Sequence, residues 1–127
     1  MVTRKLRNIK RMVIKIGTAI ITSNNKLNKK WLIGKIKEIA ELQKSGMEII
    51  VVTSGAVGTG MQSEGIRIRP KEPLRLQLLS GKGQAILMGI YERGFRRYGI
   101  HTSQVLLTHH NFSSKQEVEN IRVVVDE

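Results

Sequence analysis

Glu48 to Thr53 reads Glu-Ile-Ile-Val-Val-Thr, a continuous β-branched run without polar alternation, stopped sharply by Ser54-Gly55. A run of this kind is expected of a parallel strand covered on both faces. Parallel neighbours cannot be joined by a hairpin, so the run also demands crossover connections built from helices. Arg11 to Ile16 supplies a candidate partner strand, ending in a tight turn at Gly17-Thr18 and followed by a second apolar run, Ala19 to Ile21.

Helical patterns fill the gaps. From Asn28, a suitable N-cap, Leu32, Ile36, Ile39 and Ala40 recur at helical spacing among Lys35, Lys37, Glu38 and Glu41, and Gly46 supplies the stop. Ala56 to Ser63, with glycines at 58 and 60, predicts a short helix packed close to neighbouring backbone. A loop follows around Arg67 to Pro73. Leu74 to Tyr98 is apolar at helical intervals through Leu78, Leu79, Ala85, Ile86, Met88 and Ile90. Gly81, Gly83, Gly89 and Gly94 each weaken an uninterrupted helix there and predict two helical pieces. Gln104 to Leu107 reads as a third short strand, and Ser113 or Ser114 as the cap of a last helix containing Val118 and Ile121. Strand, helix, strand, helix, strand in this order implies right-handed crossovers and an α/β fold, a parallel-type sheet with helices on both faces.

The chain has 127 residues, 40% of them apolar, which suffices for one globular domain with a buried core. Lysine and arginine total 22 against 10 acidic residues, a formal charge of +12, and residues 1 to 37 hold eleven basic residues and no acidic one. Such a balance calls for an anionic partner or an acidic portion elsewhere. Without cysteine there is no disulfide framework, thiolate nucleophile or cysteine-based zinc site. Met12 to Ile16 and Ala19 to Ile21 are too brief for a signal peptide, and no segment is apolar enough to span a bilayer. A cytoplasmic protein is expected, with the sequon Asn111-Phe112-Ser113 an accident of composition.

In an open parallel sheet, ligands bind outside the carboxyl ends of the strands, here Gly17-Thr18, Ser54-Gly55 and Thr108. Lys15, two residues before Gly17-Thr18, would set a cation beside exposed backbone N–H groups, an arrangement suited to phosphate oxygens. Ser54-Gly55-Ala56 opens the next helix in the same way. Neither is the usual phosphate fingerprint, and Gly81-Lys82-Gly83 lacks its preceding strand and spacing. Read from pattern alone, Lys15 is more readily a solvated lysine at a strand end, and Ser54-Gly55 is equally an ordinary strand-to-helix cap. His109-His110 lacks a third metal ligand nearby and reads as a solvated pair. Trp31, Phe95, Phe112, Tyr91 and Tyr98 do not interleave with the basic amino terminus as a nucleic-acid stacking platform would.

Three segments together carry a resemblance. Val13-Ile14-Lys15-Ile16-Gly17-Thr18, then Val51-Val52-Thr53-Ser54-Gly55-Ala56-Val57, then Gln104-Val105-Leu106-Leu107-Thr108 resemble, in order and spacing, the glutamate 5-kinases of the amino acid kinase family. Gly83-Gln84, Tyr91-Glu92, Phe95 and Tyr98-Gly99-Ile100 extend the similarity over roughly residues 11 to 122. The kinase half of bifunctional pyrroline-5-carboxylate synthases is similar in the same segments. The resemblance implies a partial amino acid kinase fold and ATP-dependent phosphorylation of the L-glutamate side-chain carboxylate, the first step of proline synthesis. By that resemblance Lys15 is catalytic and contacts the transferring phosphoryl group, Gly17 and Thr18 line the phosphate loop, and Ser54, Gly55 and Ala56 hold glutamate. ATP would carry Mg2+ on its phosphates, since Asp126 is the only aspartate and no protein metal cage is evident.

Glutamate 5-kinases are about twice this length or more, so residues 1–127 are expected to be the amino-terminal, glutamate-side part of the domain, with the nucleotide-binding half missing. Inactivity alone and a homo-oligomeric full-length enzyme are the corresponding expectations. His109-His110-Asn111, Val118-Glu119-Asn120-Ile121, Leu76 and Lys82 depart from the family pattern. The alternatives carried forward are a degenerate, non-catalytic kinase subunit and a basic nucleic-acid-binding module, for which no recognised motif is present.

Overall fold

The computed structural model describes residues 9–23 and 26–127. Its centre is a parallel pair of strands, β1 (Arg11–Ile16) and β4 (Glu48–Thr53), in register from Arg11 opposite Glu48 to Ile16 opposite Thr53. Both strands have the predicted bounds. A single helical turn, α1 (Thr18–Ile21), follows β1 and leads into two short antiparallel strands, β2 (Thr22–Ser23) and β3 (Lys26–Leu27).

The crossover from β1 to β4 is α2 (Lys29–Lys44). Asn28 caps it, its side-chain oxygen accepting the Trp31 N–H at 3.1 Å, and Gly46 ends it at a φ of +95°, the left-handed conformation that closes many helices. Leu32, Ile36, Ile39 and Ala40 are its buried stripe. They join Ile16, Ile21, Leu87, Ile90, Tyr91 and Phe95 in one core, against which Ile14, Ile49 and Val51 pack from the sheet. After β4 come α3 (Ala56–Ser63), α4 (Pro73–Arg96), a 3-10 turn over His109–Phe112, and α5 (Lys115–Asp126). Ser114 is the cap of α5, its hydroxyl accepting the Glu117 N–H at 3.2 Å.

Three expectations need correction. Leu74 to Tyr98 does not split into two pieces; α4 is one helix of 24 residues. A mid-helix glycine costs about 1 kcal/mol relative to alanine. Here two of the glycines permit contacts that offset it: a Cβ at Gly83 would overlap the Ala56 carbonyl, and one at Gly94 would come 2.7 Å from Ile36 Cδ1. Leu79, Leu87, Ile90, Tyr91 and Phe95 are buried along the same helix. Secondly, Gln104 to Leu107 is not a strand, and Leu106 is 72% exposed. Strand preference expresses packing against neighbours, and these residues pair with none among the described residues. Thirdly, among the described residues nothing covers the second face of the sheet. Met12, Ile14 and Ile16 turn towards the core, whereas Val13 and Val52 on the opposite face are 61% and 48% exposed. The α/β class and the parallel crossover stand.

At the amino ends of the strands, Arg11 bridges two carboxylates, Glu48 at 2.7 Å and Asp126 at 2.5 Å, tying the end of α5 to the sheet. Among the described residues no helix is long and apolar enough to cross a membrane.

Candidate active site

Because β1 and β4 are parallel neighbours, their carboxyl ends emerge side by side. The Ser54 N–H donates to the Ile16 carbonyl at 3.1 Å, one step beyond the paired residues, and so holds the Gly17 turn beside Ser54. Of the three strand ends expected at one edge, the fold therefore joins two. The third, Thr108, heads the 3-10 turn, with its hydroxyl 2.9 Å from Asn111 Oδ1.

Each joined end runs directly into a helix. Gly17 has extended backbone (φ −78°, ψ 160°), and its carbonyl accepts the Ile20 and Ile21 N–H groups at 3.1 and 3.2 Å. A side chain at Gly17 would meet nothing within 4 Å, so the turn is open to approach from outside. Gly55 is different. Its φ is +102°, left-handed, and a Cβ there would overlap Ile21 Cγ2. Only glycine combines that dihedral with that contact at low cost. Gly58 sits against Thr22 in the same way, a Cβ coming 3.0 Å from Thr22 Cγ2. The Gly17–Thr22 segment and the start of α3 are thus packed against each other.

Neither α1 nor α3 has a side-chain cap. The first-turn N–H groups of α3, at Ala56, Val57 and Gly58, have no intrahelical partner and carry the positive end of the helix dipole. Gly17 to Ile21 and Thr53 to Gly60 contain no acidic residue. The edge is accordingly one that attracts anions. Lys15 is exposed, in register with Val52, and one residue before the last of β1. Strand alternation places it on the face opposite the core-directed Ile14 and Ile16. Thr18 is exposed, Ser54 and Ala56 half-buried, and Gly55 buried.

The helix α4 supports this edge from behind. A Cβ at Gly60 would overlap the Leu79 carbonyl, and one at Gly83 the Ala56 carbonyl, so α3 and α4 touch backbone to backbone. Glycines 58 and 60 thus have the close-packing role expected of them. Gly83 is partnered here too, whereas Gly81 faces open space. Lys82 lies within α4 and is engaged in an ion pair with Glu64 at the end of α3, which holds the Glu64 carboxyl below its ordinary range. Gly81-Lys82-Gly83 is therefore a stretch of α4, exposed at Gly81 and Lys82 and buried at Gly83, and no phosphate loop.

One contact at the edge is not readable in the residue pattern. The Tyr91 hydroxyl lies 2.9 Å from Thr53 Oγ1, and Thr53 Oγ1 is 3.3 Å from the Ser54 carbonyl. Burial pushes the Tyr91 phenol above its ordinary value, and the hydrogen bond with Thr53 opposes the shift. The sequence signals for Tyr91 are its place at helical spacing with Leu87 and Phe95 and its part in the resembling Tyr91-Glu92 segment, and neither points to Thr53. Elsewhere, His110 lies 3.6 Å from Glu117, and no group of three or more histidine and acidic residues suited to a metal is found among the described residues.

Comparison with known proteins extends this picture. The amino acid kinase family model matches residues 10–127. A glutamate 5-kinase of Aromatoleum aromaticum is 38% identical over 119 residues, covering 93% of this chain and 32% of that protein. Those of Azoarcus sp. strain BH72 and Teredinibacter turnerae are 39% identical over 119 residues and 41% over 114, covering 32% and 31% of their lengths. The chain spans about a third of the length of these curated relatives.

Proposed function

The chain belongs to the amino acid kinase family, and from that premise we propose that it forms the glutamate-side part of an ATP-dependent glutamate 5-kinase. The reaction transfers the terminal phosphoryl group of ATP to the side-chain carboxylate of L-glutamate, yielding glutamyl 5-phosphate for proline synthesis in the cytoplasm. A carboxylate is already ionised at neutral pH, so the reaction needs alignment and charge neutralisation rather than a general base. An edge with a lysine, two helix starts without side-chain caps and no acidic residue within its two turn segments has that chemistry.

In this reading Lys15 neutralises charge on the transferring phosphoryl group, the backbone at Gly17 and Thr18 faces the nucleotide phosphates, and Ser54, Gly55 and Ala56 hold glutamate. Magnesium arrives on the nucleotide phosphates, which supply the oxygen ligands it prefers. The enzyme assembled around this segment acts as a homo-oligomer. The observation that carries the reading is the Ser54 N–H bond to the Ile16 carbonyl, which sets the Gly17 and Gly55 turns side by side.

The test is a chimera in which residues 10–127 replace the matching third of the Aromatoleum aromaticum glutamate 5-kinase, assayed by glutamate-dependent ADP release. Lys15→Ala should lower kcat about 100-fold, the scale of losing one charge-stabilising donor, with a smaller change in the KM for glutamate. Ser54→Ala should chiefly raise that KM, about tenfold. Unchanged kinetics in both variants, or a folded chimera without turnover, would overturn the assignment.

A further inference from the structure

We propose that Tyr91 is a positioning residue for the Ser54–Gly55–Ala56 turn, acting through Thr53. The inference rests on the reading of that turn as the glutamate-holding segment, and adds to it a residue on a different element, α4. Tyr91 is 5% exposed, and its hydroxyl is 2.9 Å from Thr53 Oγ1. Thr53 Oγ1 in turn donates to the Ser54 carbonyl at 3.3 Å. A threonine hydroxyl has one proton. With that proton on the Ser54 carbonyl, Thr53 must accept from Tyr91, so the order is Tyr91 O–H to Thr53 Oγ1 to Ser54 C=O.

The end of this chain is the peptide that joins Ser54 to Gly55. Peptide units are planar and trans, so a carbonyl held towards Thr53 aims the Gly55 N–H the opposite way. Gly55 is the pivot at which the backbone passes into the left-handed region, with a φ of +102°. A glycine pivot resists rotation only through its neighbours. On its other side the turn is braced by the same helix, since the Ala56 carbonyl abuts Gly83, two turns before Tyr91. Tyr91 is itself stacked on Phe95, ring centroids 6.2 Å apart. One helix therefore braces the turn at two points, at the Ser54 carbonyl through Thr53 and at the Ala56 carbonyl directly.

A tyrosine that merely filled the core would tolerate phenylalanine, which keeps the ring and loses only the hydroxyl. The experiment titrates L-glutamate into the 127-residue chain and follows the Gly55 amide by NMR, alongside thermal unfolding. The unaltered chain should bind, Ser54→Ala should weaken binding, and Tyr91→Phe should weaken it about fivefold while the chain stays folded. Thr53→Val should lose a similar factor, and the double variant should lose no more than either single one, because both break one relay. Tyr91→Phe with unaltered affinity beside a weakened Ser54→Ala would overturn the positioning role and leave the glutamate reading intact. Additive losses in the double variant would also overturn it. No binding by the unaltered chain would overturn both.

Discussion

At the scale of single residues, Gly55 and Tyr91 illustrate opposite degrees of legibility. A Ser-Gly stop after a β-branched run announces a turn, and the left-handed φ of +102° at Gly55 fulfils it. Gly55→Ala should destabilise the chain by about 1–3 kcal/mol, the cost of a non-glycine residue in a sparsely populated conformation. The measurement is the urea unfolding midpoint. Tyr91 gives no such signal, because only the fold sets its hydroxyl against Thr53. Its raised phenol pKa carries a pH dependence with a definite sign. As pH climbs past about 10, the ordinary tyrosine value, the unfolded chain releases this proton while the native chain keeps it. The native state then binds more protons, so this contribution to stability is complete below pH 10 and is lost as pH approaches the raised native value. Unfolding followed between pH 9 and 11 should show a loss in the unaltered chain that Tyr91→Phe reduces.

At the scale of elements, β1, α2, β4 and α3 follow from local pattern, since periodicity, an N-cap at Asn28 and glycine stops at Gly46 and Gly55 all agree. The helix α4 does not, because four glycines argue locally against continuity and packing overrides them. Two of them, two residues apart, separate the effects. Gly81 faces open space, so Gly81→Ala should stabilise the chain by about 0.4–1 kcal/mol by restricting the unfolded state. Gly83 abuts the Ala56 carbonyl, so Gly83→Ala should destabilise it by about 3 kcal/mol. Opposite shifts in melting temperature are the expected result, and like shifts would show that α3 and α4 do not depend on this contact. Gln104 to Leu107 is the converse case, a segment with strand-like residues and no strand to pair with among the described residues.

At the scale of the whole molecule, the two-stranded sheet buries one face and exposes Val13 and Val52 on the other. Exposed apolar sheet surface and open strand edges favour association between copies. Val13→Thr combined with Val52→Thr should keep stability within about 0.5 kcal/mol, because both sites are exposed and threonine suits strands. Concentration-dependent association in sedimentation should fall in the same variant. If it does not, association uses another surface.

The α/β class, the bounds of both main strands and the turns at Gly17 and Gly55 are legible in residue order alone, because each depends on residues adjacent in the chain. The sequence motifs also pointed to the family. The tertiary structure decided which turns meet, that α4 runs unbroken, and that Tyr91 reaches Thr53. Those outcomes depend on contacts between residues tens of positions apart, where backbone approach at Gly83 and burial along α4 outweigh local preference.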